Sequence, residues 1–193
     1  MRTGPVTKDT STIALGLAQI RVGASATYIA SGEAVLTSSD SIGALANTKF
    51  SGKTDWYKLE SGFPLLEDYV VAIRESAALE CAFKELTPYN MSLAYGIDPT
   101  SLSLSEHSGE IALGGRTSPS FVRMEAVYTF PDGIHTMTII FPRAQVSAST
   151  EMDFKSESEA QVPITFESKR ADSEVSGGNA VWNTKPLGTI IWG

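Results

Sequence analysis

Apolar and polar residues alternate with a period of two along much of this chain, most clearly in its middle. From 70 to 84 one parity reads Ile73, Glu75, Ala77, Leu79, Cys81, Phe83 and the other Arg74, Ser76, Ala78, Glu80, Ala82, Lys84. Successive side chains of an extended segment point to opposite faces, so this is a strand with one largely apolar face and one small or charged face. It is longer than usual and predicts a strand that runs past a simple sandwich. Residues 120–130 repeat the pattern, with Val122, Met124, Ala126, Tyr128 and Phe130 inward and Arg123, Glu125 and Thr129 outward. Pro131-Asp132-Gly133 is a hairpin turn signal, and it leads into a second long strand over 134–147. Val162, Ile164 and Phe166 alternate with Pro163, Thr165 and Glu167 in a further strand. Short strands are expected over 26–29, 33–37 and 110–113.

One helix interrupts the strands. Thr87 is a good N-cap, Pro88 suits the first helical position and Gly96 a left-handed stop, while Met91, Ala94 and Tyr95 share a face at helical spacing. Two stretches carry little periodicity. Residues 1–20 read as an arm. Residues 38–64 read as an extended loop of polar residues interspersed with Phe50, Trp56, Tyr57 and Phe63. A loop of about 25 residues inside a compact domain tends to be functional. Its aromatics are costly to leave in water, so they either fold back on their own core or dock on another subunit. The connection 152–159 is acidic.

Composition agrees with the strand pattern. Ser and Thr number 41 against 37 charged residues, with 16 Gly and 9 Pro, the make-up of strands joined by turns. A chain of 193 residues fits one domain and buries about 70% of its unfolded surface, enough for a core without staples. The net charge of −7 argues against a sequence-independent grip on nucleic acid, which depends on Lys and Arg neutralising phosphates. No apolar run reaches membrane-spanning length, so no membrane insertion is expected. Residues 1–5 lack the apolar stretch of a secretory signal, so a soluble protein made in the cytosol is expected. Cys81 is the only cysteine, which excludes an internal disulfide.

Candidate chemistry is sparse. There is no Walker-type phosphate loop, no dinucleotide fingerprint and no nucleophile elbow. His107 and His135, the only histidines, read as solvated loop and strand-end residues, and Cys81 as a small buried thiol. Asn90-Met91-Ser92 matches a glycosylation acceptor but falls inside the expected helix. The reading is therefore no catalytic residue, no metal and no cofactor.

The order of parts carries more information than any motif. A long strand running from Arg74-Glu75-Ser76 to Lys84-Glu85-Leu86 feeds directly into the Thr87-Pro88 helix; a hairpin of long strands follows, then an acidic crossover, then Val162-Pro163-Ile164-Thr165-Phe166. Over about residues 65–170 this resembles the major tail tube proteins of tailed bacteriophages. The resemblance implies a mainly β fold: a β-sandwich or partial barrel with long strands, one short flanking α-helix and a long loop. It also implies a virion tail protein assembled in the host cytoplasm. Six copies would form a ring, and stacked rings a hollow tube. Its partners would be copies of itself, a tape measure protein, tail terminator and baseplate or tip proteins, and double-stranded DNA that passes through without specific binding.

Within that frame, Arg74, Ser76, Glu80 and Lys84 are expected to face the lumen, joined by Arg123, Glu125, Thr129, Thr165 and Glu167. Phe50, Trp56, Tyr57 and Phe63 would anchor an inter-ring contact. A competing reading is a monomeric β-sandwich binding module for carbohydrate or a receptor, its aromatics forming a ligand platform. A hydrolase on a β scaffold is the remaining alternative.

Overall fold

The computed structural model describes residues 14, 16–64, 66–105, 107–115, 120–147 and 159–193. Most of the expected arm 1–20 and acidic connection 152–159 lies outside them. Among the described residues, seven strands form one antiparallel sheet: β1 (Gln19–Ala24), β2 (Leu45–Ser61), β3 (Leu66–Phe83), β4 (Phe121–Thr129), β5 (Thr136–Val146), β6 (Val162–Ser168) and β7 (Thr189–Trp192). The order is β1-β4-β5-β6-β3-β2, with β7 also on β5. Mainly β architecture, long strands and a short helix α2 (Pro88–Ala94) are as the alternation and cap residues indicate. Thr87 accepts the Asn90 backbone N–H, and Gly96 has φ +69°.

The sheet curls toward closure. Ser41 bridges to Arg21 on β1, and the Ile42 N–H donates to Ile20. A few residues later Ala44 accepts from Lys84, and Leu45 pairs with Phe83 on β3. The segment 41–45 thus carries the chain from one side of the sheet to the other, giving a partial barrel. Inside it pack Ile20, Val22, Leu79, Cys81, Phe83, Met124, Phe141, Ile164 and Phe166, with Leu93 of α2 at one end. Asn90 is buried and donates its amide to the carbonyls of Ile42 and Glu85, each at 2.8 Å. It fastens the helix to the closing segment and offers nothing to a glycosyl carrier.

A second, smaller core of Ile140, Ala171 and Trp182, with Ile29 and Ile191 against it, lies on the sheet's outer face. It is covered by α1 (Ser25–Tyr28), the crossing segment 29–36 and a loop through 171–182. Trp182 donates Nε1–H to Ile29 at 2.7 Å. Gly23 of β1 gives this cover room: a Cβ there would come 2.7 Å from the Leu36 side chain and 2.9 Å from the Tyr28 ring, so both would have to shift.

Several expectations are corrected here. The stretch 38–64 is not a loop: residues 45–61 are the strand β2, paired with β3 along its length. Its polarity reflects a strand wet on both faces, so no alternation marks it. Residues 26–29, expected as a strand, form the single helical turn α1 as the chain leaves β1 to cross the sheet. Segments 33–37 and 110–113 are not strands. Segment 33–37 has its backbone held by side chains of β4 instead of a ladder. Both β1 and β7 join the sheet without having been expected.

Candidate functional site

Two surface features stand out, a projecting ribbon and a polar face at its root. β3 pairs with β6 only from Ala78 to Phe83. Its remaining twelve residues, Leu66–Ala77, pair with β2 alone, so β2 and β3 leave the body as a two-stranded ribbon. At about 3.3 Å per residue it extends roughly 40 Å. That matches the diameter of a body of this size, also about 40 Å from its radius of gyration.

The register sorts the ribbon's residues. Tyr57 lies opposite Val71, and Leu59 opposite Tyr69, on one face; Trp56 lies opposite Ala72, and Lys58 opposite Val70, on the other. Register shifts beside Asp55/Trp56 and Leu59/Glu60 leave Ile73 and Asp68 as extra residues on β3, bulges that increase the ribbon's twist. Phe50, Trp56, Tyr57, Leu59, Phe63, Leu66, Tyr69, Val70, Val71 and Ile73 are all exposed, and Phe63 at the tip is entirely so, at 102%. Of the aromatics singled out in the sequence, Phe50 sits at the ribbon's root, 6.3 Å from the Phe141 ring. Trp56 and Tyr57 lie on its shaft and Phe63 at its turn, so they are spread along an arm with no shared cluster.

The polar face is built by register. Glu80 lies opposite Lys49 on one side and Thr165 on the other; Ala78 lies opposite Ser51 and Glu167. Ser76 and Arg74 continue the same face outward, opposite Lys53 and Asp55, and Lys84 extends it at the other end. Arg74, Ser76, Glu80, Lys84, Thr165 and Glu167 therefore share one face, turned away from the barrel core. Its charges are largely matched: Lys49–Glu80 at 3.3 Å, Lys53–Asp55 at 2.7 Å, Lys84–Glu159 at 2.7 Å and Lys169–Glu167 at 2.6 Å. The Lys169 and Ser147 hydrogen bonds hold the Glu167 carboxyl below the usual carboxylate range.

Arg123 and Glu125 do not belong to that surface. They lie on the same side of the sheet, but α1, the crossing segment and Trp182 cover them, and both are 0% exposed. Arg123 donates Nε–H to Glu125 at 2.7 Å, Nη1–H to the carbonyls of Tyr28 at 2.8 Å and Ser31 at 2.9 Å, and Nη2–H to that of Glu33. Glu125 in turn accepts the backbone N–H groups of Val35 at 3.0 Å and Leu36 at 3.1 Å. The pair is a fully satisfied buried clamp that fixes an irregular segment to the sheet. Thr129 is exposed but sits at the far end of β4, opposite Thr136 and beside the hairpin turn, apart from the polar face.

Groups able to do chemistry are dispersed. Burial pushes the Cys81 thiol up to about 12. His135 is exposed and hydrogen-bonds Asp132, which holds that carboxyl down at about 2 together with the backbone N–H groups of Ile134 and His135. Among the described residues no three His, Cys, Asp or Glu side chains converge on a point that could hold a metal ion. An open groove of about 320 Å³ carries Asp40 and Glu85, but their carboxylates are engaged by the backbone N–H groups of Thr37 and Ala44. No helix among the described residues is long and apolar enough to cross a membrane. No protein-family model matches the sequence, and no curated protein does.

Proposed function

We propose that this chain is a structural subunit of a phage tail tube, which builds stacked rings around a conduit and performs no catalysis. The observation that carries the reading is the ribbon. It has two open strand edges and apolar side chains on both faces, a combination that folded monomers avoid because it invites pairing with another chain. A subunit that closes into a ring and stacks uses such edges and buries such faces. The tip and body are different surfaces, so contacts between them are head-to-tail and repeat from copy to copy.

The polar face suits the conduit. Its matched charges give DNA neither a continuous basic track to bind nor a strong acidic barrier, and fields from exposed pairs fade within about 8 Å at physiological salt. Lys49, Arg74, Ser76, Glu80, Lys84, Thr165 and Glu167 are the lining in this reading; the buried Arg123 and Glu125 are excluded from it. The tape measure protein and double-stranded DNA are the conduit's contents.

Negative-stain electron microscopy of the concentrated protein tests the proposal. Hollow tubes of uniform width with a regular axial repeat near the ribbon's length are expected. A protein that stays monomeric at every concentration and binds a glycan or receptor fragment saturably would instead establish the binding-module alternative.

A further inference from the structure

Beside the ribbon's root, on the core side of the sheet, lies a groove lined by Phe50, Ala77, Ile139, Phe141, Leu187 and Ile190. Its floor is the open end of the barrel core: Ile139 and Phe141 are buried, while Phe50 and Ile190 flank it at 41% and 37% exposure. Gly188 lets the backbone pass close under this floor, because a Cβ there would fall 2.1 Å from the Ile140 carbonyl oxygen. The groove holds about 200 Å³. An apolar cavity of roughly 150 Å³ already accepts benzene, so this volume takes a phenyl ring.

We infer that this groove receives the ribbon tip of a second copy of the chain, with Phe63 as the inserted anchor. Taking the ribbon as the self-contact rests on the tube reading; the receiving surface is the addition. Three features of the molecule select the occupant. Phe63 is the most exposed large hydrophobic side chain among the described residues, and it sits at the end of an arm that holds it away from its own body. Tip and groove lie at opposite ends of that arm, roughly 40 Å apart, so a single copy cannot satisfy both and each copy offers one of each to its neighbours. Beyond Arg74 the ribbon is about 26 Å long and 10 Å wide, so its two outer faces present roughly 500 Å² together, the larger part of the ~800 Å² one partner contributes to a stable interface. Phe63 in the groove fixes the register of that contact, and the ribbon faces supply its area.

The test uses full-length chains. Ser61→Cys, beside the tip, and Gly52→Cys, opposite the groove-lining Ala77, leave Phe63 and the groove intact; the two variants are purified separately, mixed, concentrated and treated with a short bis-maleimide, and buried Cys81 stays unlabelled. A cross-linked species joining positions 61 and 52 of two copies is expected in the mixture and in neither variant alone. Phe63→Asp is expected to raise the concentration needed for assembly at least tenfold, the effect of losing a central anchor, with an unchanged circular dichroism spectrum. Assemblies that form without the 61–52 link, or that ignore Phe63→Asp, would overturn the groove while leaving the ribbon as the self-contact. A ribbonless variant, with residues 53–76 replaced by an Asn-Gly turn between Gly52 and Ala77, separates the two ideas. Assembly by that variant, or no assembly by the wild type, would overturn both.

Discussion

The buried Arg123–Glu125 pair should be the most fragile polar feature of the body. Replacing Glu125 by Gln keeps the shape but removes the countercharge from a guanidinium that is 0% exposed. Breaking one side of such a pair costs about 3–5 kcal/mol, because the remaining charge stays out of water without its partner. Arg123→Met should cost a similar amount by a different route, leaving the carbonyls of Tyr28, Ser31 and Glu33 without their donor. The double substitution should cost about as much as either single one, not their sum, since each single change already breaks the shared network. For a domain of this length, 3–5 kcal/mol lowers Tm by roughly 6–20 °C. Urea unfolding followed by tryptophan fluorescence suits the measurement, because buried Trp182 lies 5.9 Å from the Arg123 guanidinium. The exposed Lys49–Glu80 pair is the internal control and should contribute under about 1 kcal/mol. A Glu125→Gln loss below about 1 kcal/mol, or strictly additive singles, would refute the reasoning.

Three further outcomes are expected. Asn90→Ala should cost about 2 kcal/mol from its two buried hydrogen bonds, with hydrogen exchange rising first in the closing segment 41–45. Cys81 should resist a thiol reagent at pH 8 in the native protein and react fully in denaturant; rapid native labelling would contradict its burial. Asp132, whose folded value lies near 2 against an ordinary 3.8, stabilises the fold when ionised. That contribution is complete above about pH 4 and fades as pH falls toward 2. Asp132→Asn should flatten that acid limb in a stability profile.

Where local chemistry decides the structure, the sequence was readable. The cap, proline and glycine around α2 act within a few residues, and the alternation of β4 and β6 reflects a core on one side. Where a distant partner decides, it was not. β2 carries polar residues on both parities because both its faces are wet; only its register with β3 makes it a strand. Alternation and charge place Arg123 and Glu125 outward in water, yet segment 29–36, from nearly 100 residues away, covers and hydrogen-bonds them. Opposite charges two apart on one face of a strand were the single available sign of a clamp. For the polar face, β3 supplied the right parity, but its boundary was set by where the crossing segment stops covering the sheet.

The order in which the parts become available along the chain bears on when a copy could join the proposed assembly. β2 and β3 form a local hairpin, of a kind that zips in microseconds, and both strands are present once residue 83 has been made. β1 must wait for β4, a hundred positions later, and Ile29 for Trp182, 153 positions away. Such remote pairings are slow to form. The arm's two strands can therefore pair, marginally at first, long before Phe141, Leu187 and Ile190 come together into the groove proposed to receive its tip. In the proposed assembly, an unfinished chain would offer a plug and no socket, so it could attach to a completed neighbour but not be built upon until its own fold closed.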